Sequence, residues 1–524
     1  MEAKLNTTNP DHLTYESGML QIAILGGIRL EGLDRMRATL KIQVEHLSLR
    51  HNLDLYNDTQ TEKLIRKVAE KLEIGTSVTA SALLNLTDLL EQYRLEEIEK
   101  QSTVHDKRKL LTTEEIKVAQ QYLSAPNLME RTKEDIGRAG VIGEASNRLL
   151  MYLIFTSRKR QNPLHIISLG SSGIGKTHLQ EKVGQLIPEE DKIEITTLSE
   201  NAFYYFGQRQ LQHKLILIED LDGAEGVLYP LRELQSKKKI NKTVVQKNTK
   251  GETRSINLMV EGPVSVAGCT TKESLYEDNA NRNFLIYIDE SPEQDQEIMH
   301  YQRKLSAGKI DTTEEEKLRE QFQNMQRVLQ PVAVRNPYAE MLQIPVEVFK
   351  PRRTNAHYLA FIEVVTFYHQ YQREKQYDKE TGEEYIETTL EDIREANELL
   401  KDVLIRKSDL VTGACRNYFE RLKTHLKIEG KLTFSNREIR QVLRTKSTTL
   451  KRYHQQLLEA GLIRIKAGKR YRGYEYEIVN QQEYKELRDG IGSVLDQVIM
   501  KLDKPSRPPV AQSKKRPVKP KKDS

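Results

Sequence analysis

The chain has 524 residues, enough for two to four domains with a substantial buried core. Its formal net charge is +6, and the eight basic residues and one acid from Lys504 onward contribute +7, so the rest carries −1. The only cysteines are Cys269 and Cys415, no His-Glu-x-x-His occurs, and no apolar run approaches the roughly 20 residues of a membrane span. These features argue against a zinc ribbon and a membrane partner, and we expect a cytoplasmic protein without structural metal.

The N-terminal region, residues 1–109, is predicted to be an α+β module that binds nucleic acid or a partner. Residues 20–46 alternate apolar and polar positions around glycines, which predicts a small antiparallel sheet. A helical segment at 61–99 and a charged linker at 101–109 follow. The basic residues that would face DNA from this sheet are Arg29, Arg35, Arg37 and Lys41.

A glycine-rich motif, SLGSSGIGKTHLQ, occupies residues 168–180. It lies between an apolar run at 165–169, predicted to be a strand, and a segment at 177–186 predicted to be a helix. Glycines let backbone N–H groups face phosphate oxygens, a lysine reaches the β- and γ-phosphates, and a hydroxyl binds Mg²⁺. The motif therefore predicts a site for ATP and Mg²⁺ formed by Gly170, Ser171, Ser172, Gly173, Ile174, Gly175, Lys176 and Thr177.

Five apolar runs predict a parallel α/β sheet, in which ligands gather at the carboxyl ends of the strands. Glu219 and Asp220 follow the third run directly. One such carboxylate holds Mg²⁺ and the other orients the attacking water, and the sequence does not decide which. Thr270 follows the fourth run, where it would face the γ-phosphate, although threonine is common at strand ends. The five runs are 165–169, 192–198, 214–218, 263–268 and 284–288.

An arginine precedes the fifth run, and a basic hairpin precedes the fourth. Arg282 is either a surface residue or a catalytic guanidinium that reaches the nucleotide of a neighbouring subunit. Two β-prone runs at 239–260 flank the turn sequence KNTKGE. The candidate phosphate contacts here are Lys242, Lys247, Lys250 and Arg254, although lysines also protect an exposed hairpin from aggregation.

Residues 431–480 predict a winged helix-turn-helix. A capping box at Ser435 starts one helix, a second follows at 447–460, and two strands flank the basic sequence AGKRYRG. Such modules bind DNA, dock proteins or cover an ATPase ring. The predicted DNA contacts are Thr448, Thr449, Lys451, Arg452, Lys469, Arg470 and Arg472. The Pro- and Lys-rich stretch 501–524 is predicted to be a disordered tail that aids solubility or attracts nucleic acid.

The order of these motifs resembles that of AAA+ ATPases, and among them the minichromosome maintenance (MCM) helicases. IEDLD at 218–222 is similar to that family's IDEFD, with the acids exchanged and Leu for Phe. FKPRRTNAHYLAFIE resembles its sensor 2 helix, so Arg352 or Arg353 corresponds to the nucleotide-binding sensor arginine. The resemblance is closer still to the MCM-like helicase part of bacterial mobile-element primase-helicase proteins. Their zinc-finger primase module has no counterpart here, so priming is not implied.

The resemblance implies a AAA+ core at 110–330, a helical lid at 331–410, a winged helix at 411–500 and a homo-oligomeric, hexameric ring. The implied function is an ATP-dependent DNA motor, a replicative helicase of a mobile element, with a separate primase or replication protein as a candidate partner. The hairpin would then project into the pore of the ring. The alternative is an ATP-switched DNA-binding protein that loads a helicase or regulates replication or transposition of the element.

Overall fold

A computed structural model describes residues 4–29, 35–102, 109–196, 199, 201–247, 253–272, 281–469 and 473–503, except the side chains of 4, 98–102, 225, 245–247, 253, 254 and 256. The chain divides into two compact units, Met1–Arg108 and Lys109–Ser524. No helix in the described ranges is long and apolar enough to cross a membrane. The predicted tail beyond residue 503 lies outside the description.

The N-terminal unit consists of an antiparallel sheet and two helices. Its five strands pair in chain order. Alternate strand residues such as Ile22, Ile24, Leu40 and Ile42 are buried in one core with apolar residues of the helices. The elements are β1 (Lys4–Asn6), β2 (His12–Ser17), β3 (Leu20–Leu25), β4 (Arg37–Val44), β5 (Leu47–Asp54), α1 (Asp58–Leu72) and α2 (Thr76–Ser102).

The second unit is built around a parallel five-stranded sheet, and the predicted parallel α/β sheet is thereby confirmed. The strands are β6 (His165–Leu169), β7 (Lys192–Ile195), β8 (Lys214–Ile218), β11 (Val264–Thr270) and β12 (Phe284–Tyr287). Their order is β12-β6-β11-β8-β7, so β6, the strand before the glycine-rich motif, lies between β12 and β11. The strands β9 (Lys239–Lys247) and β10 (Thr253–Glu261) form a separate antiparallel hairpin.

Helices cover this sheet and continue into a helical region. From Leu149 to Thr156 every residue of one covering helix is buried, because it lies between the sheet and further helices. The helices are α3 (Thr113–Ser124), α4 (Leu128–Arg138), α5 (Ala145–Thr156), α6 (Lys176–Gly184), α7 (Leu228–Lys237), α8 (Pro292–Ser306), α9 (Thr312–Val328), α10 (Pro351–Tyr368) and α11 (Leu390–Ser408). Beside them β13 (Ala333–Arg335), β14 (Gln376–Tyr377) and β15 (Glu384–Glu387) form a small sheet.

The C-terminal part has a core of its own, which includes Phe419, Leu450 and Tyr476. Its long last helix instead buries Ile491 and Leu495 in the same core as the helices around the parallel sheet. The elements are α12 (Gly413–Glu429), β16 (Thr433–Ser435), α13 (Asn436–Val442), α14 (Ser447–Glu459), β17 (Ile463–Lys469), β18 (Gly473–Ile478) and α15 (Glu483–Leu502).

Candidate nucleotide-binding site

The glycine-rich loop joins β6 to α6 in the order that the motif requires. Gly173 and Gly175 have φ values of 86° and 94°, which side chains rarely adopt, and a Cβ built on either would meet no described atom within 4 Å. Lys176 is 7 % exposed, and its Nζ donates to the carbonyl oxygens of Gly170 at 2.9 Å and Ser171 at 2.6 Å. The ammonium therefore lies against an open, glycine-lined loop at the N-terminus of a helix, which fits a bound triphosphate.

Glu290, which follows β12, contacts this loop. The Oγ of Ser171 donates to Glu290 Oε1 at 3.2 Å, and the Ser171 amide nitrogen lies 3.4 Å from the same oxygen. The sequence analysis did not select Glu290. Its position just after the fifth strand, at the edge where ligands bind, was the available signal.

Glu219 follows β8 and leans toward the outer strand β7. Its amide donates to the carbonyl oxygen of Ile195 at 3.2 Å, and its Oε1 accepts a hydrogen bond of 3.1 Å from Thr196 Oγ1. The carboxylate of Glu219 is thus partnered by the neighbouring strand on the side away from β6.

Asp220, unlike Glu219, has a neighbour in common with the glycine-rich loop. The buried thiol of Cys269, on β11, has a pKa raised to about 12 by burial, and its electrostatic neighbours include Asp220 and Lys176. Thr177 is also among its neighbours, and the thiol itself donates to Gln180 Oε1 at 3.5 Å. Asp220, Lys176 and Thr177 therefore converge on one residue at the carboxyl edge of the sheet.

A third acid, Asp222, holds the end of β11. Thr270 Oγ1 donates to Asp222 Oδ1 at 2.6 Å, and Thr271 donates to Oδ2 from its Oγ1 at 2.8 Å and its amide at 3.1 Å. Partial burial opposes ionisation, but these hydrogen bonds outweigh it and lower the pKa of Asp222. The hydroxyl of Thr270, predicted to face the γ-phosphate, thus donates to a carboxylate that the sequence analysis had not selected.

Arg282 lies at the opposite edge of the sheet from the loop. It precedes the amino end of β12, which runs parallel to β6, and it is an electrostatic neighbour of His165, the first residue of β6. Its Nε donates to Ser236 Oγ at 2.8 Å. Because β6 separates His165 from the loop by about 13 Å of strand, Arg282 does not reach Lys176 of its own chain.

The candidate sensor arginines, at the start of α10, are also distant from the loop. Arg352 and Arg353 are both exposed. Arg353 is an electrostatic neighbour of Lys407 and of His357, which in turn neighbours His165. Burial, then cationic neighbours, lower the pKa of His357 to about 3 and that of Lys407 to about 8. Both histidines are therefore neutral at pH 7, and the cations near the amino edge of the sheet are Arg282, Arg353 and Lys407.

The candidate DNA contacts are described only in part. Lys242 on the hairpin lies 5.2 Å from the ring centroid of Tyr204 and hydrogen-bonds Asn201. On α14, Leu450 and Leu457 are buried. The exposed predicted contacts are Thr448, Lys451, Arg452 and Lys469, and Thr449 is half-buried. The side chains of Lys247 and Arg254 and all of Lys250, Arg470 and Arg472 lie outside the described part of the chain.

Of three comparisons with known proteins, one bears on the region of the glycine-rich loop. A crystal structure of a full-length MCM homolog from Methanopyrus kandleri matches with 11 % identity over 77 % of this chain and 76 % of that chain. Its TM-score is 0.30, too low to establish a shared fold. No curated protein matches. A family model described as the MTBMA_p00010 P-loop domain matches residues 113–330, so the chain contains a P-loop domain around the predicted nucleotide site.

Proposed function

We propose that the protein is an oligomeric, ATP-dependent DNA motor of the MCM type in which each nucleotide site is completed by a neighbouring copy. The observation that carries the proposal is that the glycine-rich loop and the candidate arginines lie at opposite edges of one sheet. The loop with its carboxylates lies at the carboxyl edge, and the candidate arginines lie at the amino edge.

At the carboxyl edge, the residues of one chain would bind and orient the nucleotide. Backbone N–H groups of the loop and Lys176 would hold the phosphates, and Asp220 with Thr177 would hold the Mg²⁺ shell. Mg²⁺ supplies neutralisation of the charge that develops on the phosphates. Glu219, partnered by Thr196, is the second carboxylate available to position water.

At the amino edge, the chain offers cations for a nucleotide that it does not itself bind. Arg353 and Lys407 are the cations here, beside the neutral imidazoles of His165 and His357, and no carboxylate is among the causes that shift the pKa values of His165, His357 and Lys407. In an oligomer, Arg282 or Arg353 would lie next to the nucleotide of a neighbouring copy and stabilise the negative charge that develops on its phosphates in the transition state. Two different edges that meet make a head-to-tail contact, and such contacts form a ring when the rotation between neighbours closes and a filament when it does not. We propose a hexamer.

The hairpin and the C-terminal elements are proposed to contact DNA. The hairpin is a separate two-stranded sheet, and Lys247 is paired with Thr253 at its end. In the C-terminal part, α13, α14 and the β17–β18 hairpin follow the order of a winged helix, and the exposed side of α14 carries Lys451 and Arg452. A role in replicating a mobile element, with a separate primase, remains a proposal from the sequence resemblance.

A strand-displacement assay on forked DNA, with ATP turnover measured in parallel, tests this function. Lys176→Ala should lower turnover by at least about 100-fold and abolish displacement, because it removes the phosphate-binding ammonium. Lys182→Ala, in the last turn of the same helix, is the matched control and should behave as the wild type. The double variant Lys247→Ala and Lys250→Ala should retain turnover and lose displacement. A wild-type protein that hydrolyses ATP but never displaces a strand would instead be an ATP-dependent switch.

A further inference from the structure

The N-terminal sheet has a second face that its two helices do not cover. Strand residues alternate between the faces, and the buried positions belong to the core that includes the helices. The other positions of β2 to β5 are exposed or half-buried and form what we call the outer face. It consists of His12, Thr14, Glu16, Gln21, Ala23, Leu25, Arg37, Thr39, Lys41, Gln43, Ser48, Arg50, Asn52 and Asp54.

Two like charges lie directly opposite each other at the centre of this face. Lys41 on β4 is paired with Arg50 on β5, and on its other side Lys41 is paired with Ala23 of β3. Opposed residues of an antiparallel pair have Cβ atoms about 5 Å apart, and like charges at that distance destabilise a sheet. Neither side chain forms an ion pair with a described residue. No ion pair with a described acid therefore offsets the repulsion between Lys41 and Arg50.

The neighbours of this pair are polar and uncharged. Thr39 and Gln43 flank Lys41 along β4, and Ser48 and Asn52 flank Arg50 along β5. The amide of Asn52 donates to Thr39 Oγ1 at 2.8 Å. These groups can donate or accept further hydrogen bonds but cannot neutralise two cations.

The acids of the outer face lie at its margins. Asp54 is paired with Arg37 and uses its Oδ1 to accept the amides of Met36 at 2.8 Å and Tyr56 at 3.2 Å. Glu16 is on β2, two strands away from Lys41. Positive charge is thus concentrated at the centre of the face, with a third cation, Arg37, along the same strand.

The composition of the face identifies the ligand chemistry. Cations surrounded by hydroxyl and amide groups match the oxygens and charge of a phosphodiester backbone. No Phe, Tyr or Trp occupies the outer positions of β2 to β5, so bases would find no stacking surface. Of the residues that the sequence suggested, Arg37 and Lys41 are on this face, and Arg50 is an addition from the strand pairing.

We propose that the outer face binds the phosphate backbone of DNA without reading its sequence, through Lys41, Arg50 and Arg37. This site is separate from the hairpin and the C-terminal elements to which the proposed function assigns DNA. It requires no ATP and stands whether or not the protein is a motor.

The test is DNA binding by the full-length protein without nucleotide, measured by fluorescence anisotropy across a series of salt concentrations. Lys41→Gln with Arg50→Gln should weaken binding by about tenfold and reduce the slope of log affinity against log salt by roughly 2. The matched control is Lys63→Gln with Arg66→Gln, which removes the same charge from exposed positions of α1. Single-stranded and duplex probes show which form of DNA supplies the backbone.

Folding is controlled by a variant that should stabilise the sheet. Arg50→Glu replaces the repulsion by an opposite-charge pair with Lys41, so its thermal midpoint should equal or exceed that of the wild type while DNA affinity falls. ATP turnover without DNA should not change in any of these variants. Equal loss in the α1 control, an unchanged salt slope, or a loss for anionic vesicles but not for DNA would each overturn the proposal.

Discussion

Asp222 couples the end of β11 to the segment after β8 through both of its carboxylate oxygens. We predict that Asp222→Ala lowers the turnover number for ATP by about 10- to 100-fold, because Thr270 and Thr271 lose the group that positions them. The affinity for ATP should change little, since the loop does not depend on this carboxylate. Steady-state kinetics with a separate nucleotide-binding titration measure the two quantities.

The control for Asp222 is Glu316→Ala, which removes an exposed acid from α9. Asp222→Asn should also be impaired, because an amide nitrogen cannot accept the hydrogen bonds from Thr271. An Asp222→Ala protein with normal turnover, or one that loses ATP affinity and turnover in proportion, would contradict a positioning role.

At the scale of single residues, the sequence predicted those positions that are set by the neighbouring segments of the chain. The position of Lys176 at a helix N-terminus follows from the motif between a strand and a helix. The contact of Glu290 with Ser171 did not follow, because it joins segments more than 100 residues apart. The position of Arg282 could be predicted but its contacts could not, because a residue before a parallel strand must lie at the sheet edge opposite the loop.

At the scale of elements, a buried cluster joins the end of α10 to α11. Burial, then Asp392 and Glu391, raise the pKa of Glu395 to about 8. Its Oε2 lies 3.6 Å from His369 Nε2, and Asp392 is engaged by Arg373. The unfolded chain releases the Glu395 proton near pH 4.5, so between that pH and about 8 the folded state binds more protons and stability falls as pH rises.

We therefore predict that Glu395→Gln raises the thermal midpoint at pH 8 by about 3 °C or more and has little effect at pH 4.5. The neutral amide avoids the burial of a charge that the carboxylate carries at high pH. Glu398→Gln, an exposed position on the same helix, should leave the midpoint unchanged at both pH values. Thermal denaturation followed by circular dichroism tests this, and a stabilisation independent of pH would refute the explanation.

The long last helix, α15, shows which part of an element the sequence reveals. Its buried residues Ile491, Leu495, Val498 and Leu502 recur at helical spacing, so a helix could have been predicted. Its packing could not, because the same pattern suits any apolar surface. The sequence analysis included Ile491, Leu495 and Val498 in the winged helix at 411–500 and Leu502 in the tail, whereas all four are buried in the core of the helices around the parallel sheet.

For the whole molecule, an exposed apolar side chain lies beside the cations near the amino edge of the sheet. Phe349 has 58 % of its surface exposed. The Phe349 amide donates to the Lys407 carbonyl oxygen at 3.1 Å, so this side chain adjoins Lys407. An exposed apolar side chain beside a cation suits a contact with the acidic edge of another copy.

Mixing two inactive variants tests that contact. Lys176→Ala lacks a working loop but keeps its arginines, and a double Arg282→Ala and Arg353→Ala variant lacks the arginines but keeps its loop. If nucleotide sites form head to tail between copies, about one contact in four of a random mixture joins an intact loop to intact arginines, so about a quarter of wild-type ATP turnover should return. Mixing Lys176→Ala with wild type at the same ratio controls for subunit exchange. A protein in which one chain forms each whole nucleotide site would show no recovery. The arginines, which lie at the opposite edge of the sheet from the loop, would then have to act on something other than a neighbour's nucleotide.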